Sequence, residues 1–139
     1  MLCLRRLPVE RARVDLLTRY GMVRPDSRAG SPVTVMSYAL TSLRRVHAMA
    51  PTLPTVFLLD RVPVRYRDGH LPMHVRSMGV ALRVLQAQPG YVARVHSFGG
   101  RVCVFTVDAP ADIDLALDLG VDVIITNEPG RVRRHLARC

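Results

Sequence analysis

Apolar residues follow two patterns along this chain: recurrence every three or four positions, and short continuous runs. Val9 to Tyr20 carries Val9, Ala12, Leu16 and Leu17 among Arg and Glu, with Gly21 behind it. That spacing predicts an amphipathic helix closed by a glycine stop. Leu40 to Ala50 repeats the pattern through Leu40, Leu43, Val46 and Ala50. Val33–Ser37, Thr55–Leu59, Val102–Val107 and Val121–Ile125 are instead β-rich or apolar throughout, and Met78–Ala81 is a shorter run of the same kind. Runs apolar at every position suit strands covered on both faces, as in a parallel sheet.

The segments between the runs complete the alternation. Pro51-Thr52-Leu53-Pro54 turns the chain into the Thr55 strand, and Arg24 to Pro32 reads as a polar loop. Leu82 to Gln88 reads as a loop or short helix, and Pro89-Gly90 opens a helix to about Ser97, closed by Gly99-Gly100. Asp108 is placed to cap the next helix, with Asp112 near its start, Leu115 to Leu119 completing it and Gly120 ending it. Pro129 stands where a first helical turn begins, and Arg131–Arg138 predicts a basic final helix. Five predicted strands thus alternate with five predicted helices. The fold class is α/β with a parallel sheet. Arg61 to Arg76, with Pro63, Gly69 and Pro72, yields no regular element.

Composition narrows the function classes. The 139 residues are one domain's worth, and 49% hydrophobic with 22% charged residues is ordinary for a globular protein. No apolar run approaches the roughly 18 residues that cross a bilayer, and the amino terminus has too short an apolar core for a secretory signal. A cytoplasmic location is the expectation. The net charge of +9 comes from arginine alone, since there is no lysine among the twenty basic residues. They are scattered and not interleaved with aromatics, so a specific nucleic-acid site is not predicted. Nonspecific Arg-driven binding to anionic polymers is a minor alternative. Cys3, Cys103 and Cys139 have no metal-ligand spacing and supply no disulfide framework; Cys103, inside an apolar run, reads as a small core residue.

Candidate ligands give little. His70 and His74 would share a helix face, but Pro72 lies between them and no carboxylate completes a set, so a surface loop is favoured. His47, His96 and His135 fall beside Arg on helices and read as solvated. Asp108, Asp112, Asp114, Asp118 and Asp122 read as a capping residue and a solvated face, not a cation site. The polar ends of the last two strands, Phe105–Asp108 and Thr126–Glu128, are the better candidates, because sites of parallel α/β folds form beyond the carboxyl ends of strands.

Two blocks carry a family resemblance. VFTVDAPADIDLALDLGVDVIITNEP is similar to the carboxyl-terminal signature of glycerophosphodiester phosphodiesterases, Trp-Thr-Val-Asn, a short helix, then Gly-Val-Asp-Gly-Ile-Ile-Thr-Asp-x-Pro. VTVMSYALTSLRRVHAMAPTLPTVFLLD resembles the family's strand ending in Ser-Phe, its helix and the Ala-Pro-x-Leu-Pro lead into the next strand. The resemblance implies a (β/α)₈ barrel of TIM type. Residues 1–139 then form a single incomplete barrel domain, about the last five βα units of the family's eight.

The same resemblance implies hydrolysis of glycerophosphodiesters to an alcohol and glycerol 3-phosphate, with a divalent cation, Mg²⁺ or Ca²⁺, and two histidines as acid and base. The family's His-Arg-Gly, Glu-x-Asp, His-Asp and Glu-x-Lys motifs do not occur among these residues, and Arg67-Asp68-Gly69-His70 is only a superficial echo of one of them. No catalytic or metal-binding residue can therefore be transferred, this chain is expected to bind no cofactor itself, and it is expected to be inactive alone. The residues that transfer form a pocket wall. Ser37 and Tyr38 match Ser-Phe; Phe105, Thr106, Val107 and Asp108 match Trp-Thr-Val-Asn; Thr126, Asn127 and Pro129 match Thr-Asp-x-Pro; Val123 replaces a glycine. A noncatalytic remnant or partner-binding fragment is the alternative, and self-association through open barrel edges is the expectation it carries.

Overall fold

A computed structural model describes residues 9–24 and 30–138 of the chain. Cys3, Cys139, the amino-terminal segment and much of the Arg24–Pro32 loop lie outside these residues. The elements follow in the order α1 (Val9–Arg19), β1 (Val35–Ser37), α2 (Leu40–Met49), β2 (Thr55–Leu59), a 3₁₀ turn (Val64–Tyr66), β3 (Ser77–Ala81), α3 (Leu82–Ala87), α4 (Tyr91–Ser97), β4 (Arg101–Phe105), α5 (Pro110–Asp118), β5 (Val123–Ile124) and α6 (Pro129–Leu136). Among the described residues six α-helices replace the expected five, because Leu82–Ala87 forms a helix in its own right.

The five strands make one sheet in the order β1-β2-β3-β4-β5, and every pair is parallel. Each crossover moves one strand further in the same direction. Right-handed crossovers of that kind place all the intervening helices along one face. A doubly wound sheet would reverse its strand order partway. The sequential order is that of an arc of a singly wound barrel.

Burial follows position in the arc. β3, paired on both sides, is buried from Met78 to Ala81, and Val102, Cys103 and Val104 of β4 are buried as well. The outer strands β1 and β5 are half-buried at best, with Met36 and Val123 exposed. Continuous apolar runs therefore marked the strands covered on both faces. The last two runs were read too long. β4 ends at Phe105, beyond which the Phe105–Thr106 peptide is cis, and β5 is confined to Val123 and Ile124. Ladder-like hydrogen bonds flank β5 nonetheless, from the Asp122 amide to the Val102 carbonyl (2.9 Å) and from the Ile125 amide to the Val104 carbonyl (2.8 Å).

The main core joins Leu43, Phe57, Met78, Val80, Leu85, Tyr91, Val104 and Ile113 across helices and sheet. A smaller cluster of Val14, Val46, Ala50 and Leu53 seats α1 on α2. That seat is reinforced by the Ser42 hydroxyl, which donates to Glu10 Oε1 at 2.6 Å, with Arg45 at 3.5 Å. The serine bond first of all holds the Glu10 carboxyl below the usual carboxylate range.

Tyr91 is fully buried, yet its hydroxyl has no hydrogen-bond partner among the described residues. Burial pushes its pKa up to about 12, against the pull of Arg94. A buried hydroxyl without a partner costs about 1–3 kcal/mol of desolvation, so Tyr91→Phe is expected to stabilise the fold by about 1 kcal/mol in urea melts. A loss of stability would show that a buried water satisfies the hydroxyl.

Candidate functional site

The carboxyl ends of β4 and β5 are tied together by one carboxylate. Asp108 Oδ1 accepts hydrogen bonds from the Thr126 hydroxyl (2.7 Å) and the Asn127 amide (2.9 Å), and Oδ2 accepts from Asn127 Nδ2 (3.2 Å). The Thr126 hydroxyl in turn accepts from the Glu128 amide at 2.9 Å, which fixes its orientation toward Asp108. The Val107 amide donates to the Ile125 carbonyl at 3.0 Å, so the two strand ends continue side by side past the sheet. Asp108 does not cap α5, as the sequence suggested. Ala109 occupies the N-cap position with no side-chain bond, while the Asp108 carboxylate turns across to the next strand end, where three donors compete for it.

The charge of Asp108 is stabilised there. The Thr126 hydroxyl first, then the Asn127 amide, hold its carboxyl below the usual carboxylate range. A folded-state pKa below the unfolded one contributes stability above the unfolded pKa that is lost as pH falls through the folded one. Thr126→Val removes the largest contribution, so the Asp108 midpoint is expected to rise toward the free-aspartate value of about 3.9. The stability that Asp108 contributes above its unfolded pKa then shrinks, and its loss on acidification is complete at a higher pH. Carboxyl-carbon NMR titration reads this directly, and an unchanged midpoint would show that the hydroxyl does not stabilise the anion.

On the other side of the mouth, the rings of Tyr38 and Phe105 meet edge to face, 6.2 Å between centroids. Tyr38 follows β1 and Phe105 ends β4, three strands away in the sheet. Strands lie about 4.8 Å apart, so these ends are separated by about 14 Å along the sheet. Side chains stand perpendicular to a flat sheet, and rings so far apart would not touch. Their contact shows a sheet curved toward a shared concave end. Ser37 closes β1 differently, its hydroxyl accepting from the Ala39 amide at 3.1 Å. It lines a cleft of about 270 Å³ between α1 and β1, with Glu10, Arg13 and Ser42. Tyr38, Phe105, Thr106, Asp108, Thr126 and Asn127 thus share the mouth, and Ser37 borders it from the α1 side.

Among the described residues, the side chains at this mouth are aromatic, hydroxyl, amide and one carboxylate. Tyr38, Thr106 and Asn127 are exposed and Phe105 is half-buried, a wall of aromatic edge, hydroxyl and amide. The Asp108 oxygens are taken up by three donors, and no three His, Cys, Asp or Glu side chains converge among the described residues. These residues do not fit a divalent cation. His70 and His74 lie on an irregular segment and diverge, His70 against Phe98 (5.5 Å between centroids) and His74 stacked on His47 (4.3 Å).

Two histidines read as solvated have partners instead. His96 Nε2 lies 2.8 Å from Asp122 Oδ2, and His135 Nε2 lies 2.6 Å from Asp114 Oδ1. Asp122 also accepts from the Val102 amide at 2.7 Å and faces Arg101 at 3.7 Å. Partial burial works to raise its pKa, but the Val102 amide and His96 outweigh it and hold the carboxyl low. Asp122 and Asp114 belong to the framework that holds the last two βα units, because their partners sit on neighbouring elements far away in sequence.

The family model described as glycerophosphoryl diester phosphodiesterase matches residues 7–131. The chain belongs to the glycerophosphoryl diester phosphodiesterase family. It is 35% identical over 130 residues to a probable glycerophosphodiester phosphodiesterase 1 of Mycobacterium tuberculosis, covering 92% of this chain and 47% of that protein. The crystal structure of a putative glycerophosphoryl diester phosphodiesterase from Silicibacter pomeroyi superposes with a TM-score of 0.71 at 27% identity, over 93% of this chain and 43% of that one. An Oleispira antarctica phosphodiesterase, solved in complex with the product sn-glycerol-3-phosphate, superposes with a TM-score of 0.77 over 92% of this chain and 49% of that one; at 14% identity it shows the shared fold alone. The chain spans about half the length of the relatives it matches. Family membership and the barrel-arc architecture agree with what the two sequence blocks implied.

Proposed function

We propose that this chain supplies one wall of a site that hydrolyses glycerophosphodiesters. The observation that carries the reading is the convergence of three strand ends: the Tyr38–Phe105 ring contact beside the Asp108–Thr126–Asn127 network. The aromatic edges suit the apolar carbon face of a glycerol moiety, and the exposed Thr106 hydroxyl and Asn127 amide suit its hydroxyls. Phosphodiester hydrolysis further needs a group to polarise the phosphoryl oxygens and an acid to protonate the departing alkoxide. Neither is among the described residues that line this mouth. The hydrolytic groups must come from another polypeptide segment facing the same mouth, and these 139 residues alone hold product-like ligands without turning over substrate.

The experiment incubates the purified 139-residue chain with glycerophosphocholine and Mg²⁺ or Ca²⁺ while choline release is followed. No release above the buffer blank is expected, and metal-dependent turnover by the isolated chain would overturn the proposal. In parallel, glycerol 3-phosphate is titrated in amide NMR. Shifts at Thr106, Thr126 and Asn127 are expected, and silence at all three would remove the wall from the site.

A further inference from the structure

The opposite end of the strands carries a second recess. A cleft of about 580 Å³ opens at the amino ends of β2, β3 and β4, against the last turn of α2. Its lining combines Arg76, Arg101, His47 and His74 with the hydroxyls of Thr55 and Ser77, and includes no carboxylate. This is the reverse of what solvation of scattered charge produces: two guanidinium groups, two imidazoles and the hydroxyl residues Thr55 and Ser77 meet in one concavity, beside Thr52, whose hydroxyl is committed to the Arg24 carbonyl.

Three features go beyond composition. Thr55 is a buried polar residue, 7% exposed, that lines the cleft at the amino end of β2. His74 is the only non-glycine residue with positive φ among the described residues, at 68°. That conformation costs about 1 kcal/mol for a residue with a Cβ, and it persists where its surroundings over-determine it, often at ligand sites. In this conformation the His74 ring stacks on His47, 4.3 Å between centroids and 20° between planes. Arg76 makes no ion pair among the described residues, and Arg101 reaches only Asp122 at 3.7 Å, whose carboxylate is already engaged by the Val102 amide and His96.

We propose that this cleft is an anion site for a phosphate monoester, separate from the mouth formed by Tyr38, Phe105 and Thr126. Guanidinium groups match phosphate oxygens in pairs of hydrogen bonds, and two of them balance the two negative charges of a monoester. Hydroxyl and imidazole donors fill the remaining acceptor positions. The volume exceeds that of a bare phosphate and leaves room for an attached organic group. The ester is either soluble or the headgroup of a phosphatidic-acid-type lipid, since both present the same dianion.

The test titrates the full chain with inorganic phosphate and with glycerol 2-phosphate, following amide and imidazole resonances. Shifts are expected at Thr55, Ser77, Arg101 and the rings of His47 and His74. Arg76→Ala is expected to weaken binding about tenfold, as loss of a charge-assisted pair does. Arg76 is exposed, so the variant keeps its fold. Thr55→Val is expected to weaken binding severalfold, and Arg133→Ala on α6 to leave it unchanged. Vesicles of phosphatidylcholine with phosphatidic acid separate the two sources. Capture by vesicles that glycerol 2-phosphate displaces identifies a lipid headgroup, and soluble binding without capture identifies a free ester. Shifts spread over all arginine-bearing faces, or equal losses in Arg76→Ala and Arg133→Ala, would overturn the proposal, as would no binding of either soluble probe.

Discussion

Gly69→Ala is expected to remove about 3 kcal/mol or more of folding stability, by adding backbone strain and overpacking at one point. Gly69 is buried with φ at 93°, a conformation that L side chains rarely adopt. A Cβ there would lie 2.4 Å from the Arg94 carbonyl carbon, 2.5 Å from its oxygen and 2.6 Å from the Val95 nitrogen. All three are backbone atoms of α4, so no side-chain rotation relieves the clash. The loop is held on both sides, by the Gly69 amide donating to the Tyr66 carbonyl (3.1 Å) and by Arg94 Nε donating to the Arg67 carbonyl (2.7 Å). Relief must come from lifting the loop off α4. Gly120→Ala is the control: φ is 72° but nothing lies within 4 Å, so only strain of about 1 kcal/mol is expected. Urea midpoints of the two variants measure the difference. Equal losses in both would show that the loop re-seats freely.

The position of Gly69 also shows where sequence patterns stop being informative. Arg61 to Arg76 has no hydrophobic period because its apolar residues are used singly. Val62, Tyr66 and Val75 each enter the main core, and Tyr66 meets Phe57 edge to face at 6.0 Å between centroids. Contacts of this kind depend on which distant element lies opposite, and that is not encoded in local spacing. The same applies to His74, whose stacking partner His47 belongs to a helix two elements earlier. By contrast, Thr55–Leu59 was legible to the residue, since a strand covered on both faces must be apolar along its length.

The candidate mouth was legible through its strand ends, but the role of its carboxylate was not. Asp108 before a proline-led helix has the composition of a cap. Only the proximity of β5 shows that Thr126 and Asn127, not the helix start, take up the carboxylate. An acidic residue at this place therefore does not present a free negative charge to an anionic ligand. Its charge is used to fasten the wall. Rigid walls of this kind serve binding because the exposed groups beside them stay in place without further ordering.

Ile113→Ala is expected to cost about 3–4 kcal/mol, the cost of truncating a fully buried branched side chain. Ile113 is 0% exposed and joins α5 to the main core, with Ala116 one turn on. The chain enters α5 from the Asp108 loop and leaves it toward Asp122 and β5. Both anchors of the last βα unit therefore depend on how α5 is seated. The flanking Leu115 and Leu119 are only partly buried, so the sequence run Leu115–Leu119 underestimates where the helix is held. Leu117→Ala, at an exposed position, is expected to change stability by less than about 0.5 kcal/mol. If α5 loosens, hydrogen exchange at the Val107 and Ile125 amides should quicken more in Ile113→Ala than at the amides of β2. Uniform quickening across the sheet would mean instead that α5 and the strands open as one unit, and that the mouth is only as stable as the whole arc.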